Sequence, residues 1–254
     1  MKESNYRGKI YNFSNENLTS YNDLYNFDKS RVLSVIGSGD QYFSSLLYGA
    51  ETIDLYDINR NAYDYFILKY YSILILSYEE FYNFFVTSNL NNINIYNKVR
   101  YYLPKEVRNN LDNFIKENKS LSSIIIKNIL YKTISNNVER IIPYLQKDNY
   151  YQLKEILNKK TLPNVYFYDL MWLTRILDNK EYDLMLTSNI YYYLNINISE
   201  YRDLLNKFNA NTIQANYCWF HLPMDKYTKN GFEINKVDSI IKNKKDYVLT
   251  LKKK

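Results

Sequence analysis

Apolar and polar positions alternate in blocks that separate two kinds of element. Val32, Leu33, Val35 and Ile36 form a run broken only by Ser34, the pattern of a strand buried on both faces in a parallel sheet. The run stops at Gly37-Ser38-Gly39-Asp40, where two glycines permit a tight turn and close approach of a ligand to the backbone. Phe43, Leu46 and Leu47 then recur at helical spacing, and Gly49 ends that helix. Residues 52–56 predict a second strand that finishes at Asp57. From residue 61 to residue 76, Tyr63, Phe66, Ile67, Tyr70, Ile73 and Leu74 repeat at three and four, giving a helix with a broad apolar face. Ser77 and Glu80 have capping-box spacing and open a further helix carrying Phe81, Phe84 and Phe85.

Farther along, apolar residues cluster at helical spacing over residues 121–129, 138–145 and 150–157, with no strand-turn-strand punctuation. This predicts a helical insertion at about residues 86–160. Strands return at residues 164–168, 183–187, 212–220 and 247–251, with helices at 170–177 and 198–208. Residues 231–246 read as a loop. Before the first strand, residues 1–30 form an N-terminal arm in which Ser14 or Asn15 caps a short helix bearing Leu18 and Tyr21. Strands alternating with helices predict an α/β fold, with one domain over residues 31–254 and a mainly parallel sheet.

Strand, glycine turn, helix, strand and terminal acid occur in the order that suits a nucleoside. The helix start presents free N–H groups beside the turn, and an acid on the next strand can accept both ribose hydroxyls. Asp57 lies eighteen residues past Gly39, close to the roughly 20 of that arrangement. The spacing alone does not choose between a nicotinamide cofactor and S-adenosylmethionine. Tyr42, however, stands where a dinucleotide fingerprint has its third glycine, so an adenosyl ligand without a pyrophosphate fits better. Ser188, Asn189 and Tyr191 follow the fourth strand at the carboxyl edge of the sheet. Asn189 and Tyr191 are candidates for contacts to the reactive end of the ligand or to an acceptor, with a plain Ser-Asn turn as the alternative. His221 is a candidate base toward an acceptor, set against a structural role.

The segments VLSVIGSGDQ and YDIN, followed by a long helix containing Leu68-Lys69, resemble the Rossmann-like S-adenosylmethionine-dependent methyltransferase superfamily. Ser38-Gly39-Asp40, Asp57-Ile58-Asn59 and residues 76–81 (LSYEEF) are similar to the 3-amino-3-carboxypropyl transferases of betaine-lipid synthesis and their bacterial relatives. The likeness is dense over residues 32–85 and returns at Asp169 and at Ser188-Asn189. It implies S-adenosylmethionine as cofactor, with Gly37, Ser38, Gly39 and Asp40 at its amino-acid and ribose portion. Asp57 would face the ribose hydroxyls and Asp169 the adenine amino group, with an N-cap of the helix at 170–177 as the alternative or additional role of Asp169. Asn59 and Ser188 would also contact the cofactor. It also implies an antiparallel edge strand at the end of the chain and an arm folded over the cofactor, with Tyr11, Asn17 and Tyr21 as lid contacts. The transferred group would be methyl or 3-amino-3-carboxypropyl.

Composition narrows the alternatives. The 254 residues suffice for one large domain, with five glycines, four prolines and thirty tyrosines. The formal charge of +6 is spread along the chain, with basic clusters at residues 242–245 and 252–254 that read as solvated ends before they read as a nucleic-acid surface. One cysteine, Cys218, excludes an internal disulfide, and one histidine excludes most zinc sites. Residues 67–76 are too short and too tyrosine-rich to span a bilayer, residues 1–30 lack the apolar core of a signal peptide, and a cytosolic protein is expected. Neither a G-x-S-x-G elbow nor a phosphate-loop lysine is present. Thr187-Ser188-Asn189-Ile190 stands where an amino-methylating N/D-P-P-Y motif would lie. A transferase acting on an unidentified acceptor is the leading expectation. The others are a non-catalytic nucleoside-binding or interaction protein, and a nucleic-acid-modifying methyltransferase.

Overall fold

The computed structural model describes residues 2–87, 90–126, 138–219, 224–241 and 243–253. Seven strands form one sheet: β1 (Arg31–Val35), β2 (Thr52–Tyr56), β3 (Val165–Tyr166), β4 (Tyr182–Leu186), β5 (Ala210–Trp219), β6 (Glu233–Asp238) and β7 (Lys245–Lys252). Their order is β3-β2-β1-β4-β5-β7-β6. The first five run parallel, and β7 is antiparallel to both of its neighbours. The antiparallel edge expected at residues 247–251 is therefore two strands deep. Its outer member, β6, occupies the stretch that reads as a loop. That strand carries Glu233, Lys236 and Asp238, charges typical of an exposed edge, and buries only Val237 fully, so its alternation is weak.

Successive residues of β1 and β2 point to opposite faces, and both faces are covered. Val32, Ile36 and Leu55 join a core with α2 (Asp40–Leu47) and α3 (Arg60–Ile75). Leu33, Tyr56 and Met185 join another core, built on α9 (Leu170–Ile176) and α10 (Ile198–Leu205). This two-sided burial is why the strands read as continuous apolar runs.

Between α3 and β3 the structure places α4 (Tyr78–Tyr82), α5 (Ile93–Arg100), α6 (Lys105–Asn118), α7 (Val138–Ile141) and α8 (Lys147–Leu157), of which α5 and α6 had no sequence expectation of their own. The helix expected at 121–129 is a single 3-10 turn at Leu121–Ile124 followed by a bridge of Ile125 to Ile10, its last residues lying outside the described ones. Ser77 caps α4 with both halves of the capping box formed. Phe81, Phe85, Tyr144 and Tyr150 belong to the same core as α2 and α3, so this helical stretch thickens one face of the sheet. Among the described residues, no helix is long and apolar enough to cross a membrane.

The turn after β1 is shaped by two glycines with different tasks. Gly39 has φ +83°, and a Cβ there would lie 2.9 Å from Phe66 Cδ2, so α2 closes on α3 only because the side chain is absent. Gly37 has φ +52° and nothing within 4 Å of a Cβ, so its outer side faces open space. Gly37→Ala should cost about 1–2 kcal/mol of backbone strain. Gly39→Ala should cost that and a further 1–3 kcal/mol of overpacking, roughly, in urea denaturation. Equal losses in the two variants would show that Phe66 does not limit the approach.

Candidate functional site

The parallel pairing of Val35 with Tyr56 sets Gly37 and Asp57 side by side just past the carboxyl ends of β1 and β2. The Gly37 N–H donates to Asp57 Oδ2 at 3.1 Å and the Asn59 N–H to Oδ1 at 2.9 Å. Two backbone donors thus fix a half-buried carboxylate whose oxygens retain lone pairs for other donors. Burial pushes the Asp57 carboxyl up to about 6, while its backbone hydrogen bonds pull it down. The chain continues from β1 to β2 on one side, while β4 pairs with β1 on the other. This reversal of strand order is where open α/β sheets keep a ligand crevice.

Ser188 and Asn189 lie on the other side of β1, just past the carboxyl end of β4. Ser188 has φ +57°, and its N–H and that of Thr187 both donate to Gln214 Oε1, at 2.7 and 3.0 Å. Gln214 reaches them from the point where the β5 register shifts, a common device beside functional sites. Asn189 is buried, and the Tyr191 ring packs against Tyr201 with centroids 4.9 Å apart. At the far end of the sheet edge Asp169 is exposed, and its Oδ1 accepts the Trp172 N–H at 2.9 Å, the N-cap of α9. His221 lies outside the described residues.

Asp40 does not face the crevice. Sequence grouped it with the cofactor residues, but the structure places it beneath the turn, where its carboxylate is fully engaged. It accepts from Ser38 Oγ at 2.7 Å, Ser14 N–H at 2.5 Å, Tyr144 OH at 2.5 Å and Lys69 Nζ at 2.8 Å. Both charged side chains are 0% exposed. The Lys69 ammonium also donates to the Asn12 and Ser38 carbonyls, at 2.7 and 3.1 Å, and lies 4.2 Å from the centre of the Phe13 ring. Burial lowers Lys69 to about 8, opposed by the Asp40 charge. Ser38, buried at 5% exposure, is likewise held by this network.

The arm crosses the entire carboxyl edge of the sheet. Ser4 N–H donates to the Phe167 carbonyl after β3, and Gly8 N–H to Asn59 Oδ1 after β2. Ser14 meets Asp40, and the Asn17 N–H meets Tyr217 OH on β5. The Asn59 side chain, expected at the cofactor, is taken up by the arm and by capping α3 through the Asn61 N–H. Of the three expected lid contacts, Tyr11 reaches the rim, its hydroxyl 3.0 Å from that of Tyr193. Asn17 Nδ2 turns away to the Asp238 carbonyl, and Tyr21 is buried in the core. Glu16 gave no sequence signal, because it lies in a polar segment without periodicity. It is 0% exposed and accepts from Ser188 Oγ, Gln41 Nε2 and Tyr21 OH.

The strand order, with its antiparallel seventh strand next to the fifth, is that of the Rossmann-like methyltransferase fold. No protein-family model matches the chain, and no curated protein matches it. Among solved structures it is similar to a ribosomal protein L11 methylase from Lactobacillus delbrueckii subsp. bulgaricus, at TM-score 0.40 and 11% identity over 93% of this chain and 77% of that one. It is also similar to a putative RNA methyltransferase from Pyrococcus horikoshii, at TM-score 0.42 and 11% identity over 93% and 80%. A third similarity is to an rRNA methyltransferase from Streptomyces viridochromogenes, at TM-score 0.44 and 11% identity over 89% and 77%.

Removing one partner of the buried pair leaves an uncompensated charge. Lys69→Met should destabilise the protein by about 3–5 kcal/mol in urea denaturation, and Asp40→Asn in the Lys69→Met background should recover part of that loss. A Lys69→Met protein within 1 kcal/mol of wild type, roughly the value of an exposed pair, would contradict the anchoring role.

Proposed function

We propose that this chain is an S-adenosylmethionine-dependent transferase. The observation that carries the reading is the Asp57 carboxylate, held by the Gly37 N–H at the strand-order reversal, beside a glycine whose outer side is open. The residues present fit an adenosyl ligand. Asp57 accepts ribose hydroxyls, exposed Ile58 next to it offers an apolar contact to the base, and Asp169 Oδ2 accepts the adenine amino group while Oδ1 caps α9. Asn189 and Ser188 flank the reactive end. They fit a dinucleotide less well, since the Tyr42 ring is buried against Phe66 at 5.0 Å where the third glycine would allow the helix and strand to close.

Bound S-adenosylmethionine supplies a sulfonium-activated carbon, so the protein has mainly to hold donor and acceptor in line and exclude water. The arm, laid across the crevice from Phe167 to Tyr217, supports that exclusion. The Ser38-Gly39-Asp40 and Asp57-Ile58-Asn59 segments favour 3-amino-3-carboxypropyl over methyl transfer, through the family likeness they carry. Their structural surroundings are shared by both chemistries.

Calorimetric titration tests the cofactor. S-adenosylmethionine and S-adenosylhomocysteine should bind at micromolar concentration, with NAD as the negative control. Losing the charge-assisted hydrogen bonds in Asp57→Ala should weaken both about ten- to hundredfold. Affinity should fall as pH drops through about 6, where Asp57 takes up a proton and becomes a poorer acceptor. Release of 5′-methylthioadenosine would identify aminocarboxypropyl transfer, and release of S-adenosylhomocysteine methyl transfer. No binding at millimolar ligand would overturn the reading.

A further inference from the structure

Glu16 is the one buried acid of the crevice to which sequence assigned no task. Its carboxylate sits between the first turn of α2, through Gln41 Nε2 at 3.1 Å, and the end of β4, through Ser188 Oγ. Those two elements are the walls of the strand-order reversal. Every donor to it is neutral: a serine hydroxyl, a glutamine amide and the Tyr21 phenol. The titratable groups acting on it from neighbouring elements are the phenols of Tyr21, Tyr25 and Tyr217, which bring no positive charge at neutral pH. Among the described residues it has no ion pair, while Asp40, linked to the Glu16 backbone N–H through Ser14, has Lys69.

A buried carboxylate without a cation is costly unless something supplies the missing charge. Three of its roughly four lone-pair positions are engaged, and one of those three partners, the Ser188 hydroxyl, is a rotor that can turn to accept instead of donate. Ser188 is also half-exposed at the rim. The missing charge therefore has a route of entry from the crevice.

We propose that Glu16 binds a primary ammonium group of the ligand, the α-amino group at the amino-acid end of S-adenosylmethionine. This rests on the adenosyl reading above and adds a recognition residue from the arm. It makes the arm part of the binding site, so that an amino-acid-bearing adenosyl ligand and the arm hold each other in place. A nucleoside lacking the amine would bind through Asp57 without engaging Glu16.

The test compares three ligands on the full chain by calorimetry: S-adenosylhomocysteine, its analogue with the α-amino group replaced by hydrogen, and 5′-methylthioadenosine. Glu16→Gln should weaken S-adenosylhomocysteine about tenfold or more, as expected for a lost charged hydrogen bond, and leave the other two within about twofold. Equal effects on all three ligands, or none on S-adenosylhomocysteine, would overturn the assignment while leaving the adenosyl reading intact. Failure of all three to bind wild type would instead overturn the adenosyl reading. Should Glu16→Gln not fold, wild type decides through pH. As pH falls into the range where the raised Glu16 carboxyl takes up its proton, S-adenosylhomocysteine should lose more affinity than 5′-methylthioadenosine. Asp57 acts on both ligands and cancels from the ratio, so a ratio that does not change with pH counts against Glu16.

Discussion

The buried pair of Lys69 and Asp40 is the constraint on which the upper half of the molecule depends. A fully desolvated ammonium needs every proton accepted, and the three acceptors come from three separate pieces of chain: Asn12 in the arm, Ser38 in the glycine turn and Asp40 at the start of α2. Moving any one of them leaves a charge underbonded, so the arm, the turn and two helices are fixed together. Such pairs add little net stability compared with an apolar packing of the same volume. What this one contributes is position. It holds the turn from below, and leaves the upper side of Gly37 to Asp57.

Tyrosine does for the rest of the core what lysine does at that point. Buried phenols join elements that hydrophobic contact alone would leave free to slide. Tyr144 links the helical stretch to Asp40, Tyr217 links β5 to the arm, and Tyr201 ties α10 to the Ala215 carbonyl at 2.6 Å. Each ring buries a large apolar area and satisfies its hydroxyl locally. Tyr56 departs from this habit, with a buried hydroxyl that has no hydrogen-bond partner among the described residues, one residue before Asp57. The abundance of tyrosine thus has a structural use.

Legibility in the sequence followed burial. The central strands β1, β2, β4 and β5 are covered on both faces and showed as apolar runs. In the inserted stretch α7 and α8 showed through their spacing, while α5 and α6, with few buried positions, did not. The outer strand β6 was lost because a charged edge strand has the composition of a loop. β3 has only β2 as a neighbour and keeps two residues of the five that looked like strand. At the site, the glycine turn was legible because its positive φ angles favour glycine, and Asp57 stood out by its place at the end of β2. Asp40 and Asn59 were expected at the cofactor, and both side chains are engaged by protein partners. Whether an acid or amide beside a turn points up or down is decided by partners far away in the chain, here Lys69 for Asp40 and Gly8 for Asn59, and no local pattern encodes that choice. Glu16 was invisible for the same reason: its neighbours Gln41 and Ser188 come from distant segments.

The charges around the crevice give a criterion for the ligand that does not depend on counting glycines. Asp57 and Glu16 are both acids whose recorded donors are neutral, and burial raises both. The lysine under the turn, which could have answered a phosphate, is committed to Asp40 and two carbonyls. A pyrophosphate lying beside the buried Glu16 carboxylate would be repelled, and repulsion in a desolvated setting is several times stronger than in water. A ligand carrying an ammonium and a sulfonium meets the opposite field. Tyr42 and Glu16 thus weigh against a dinucleotide for independent reasons, one of shape and one of charge, whereas Asp57 serves the ribose of either ligand.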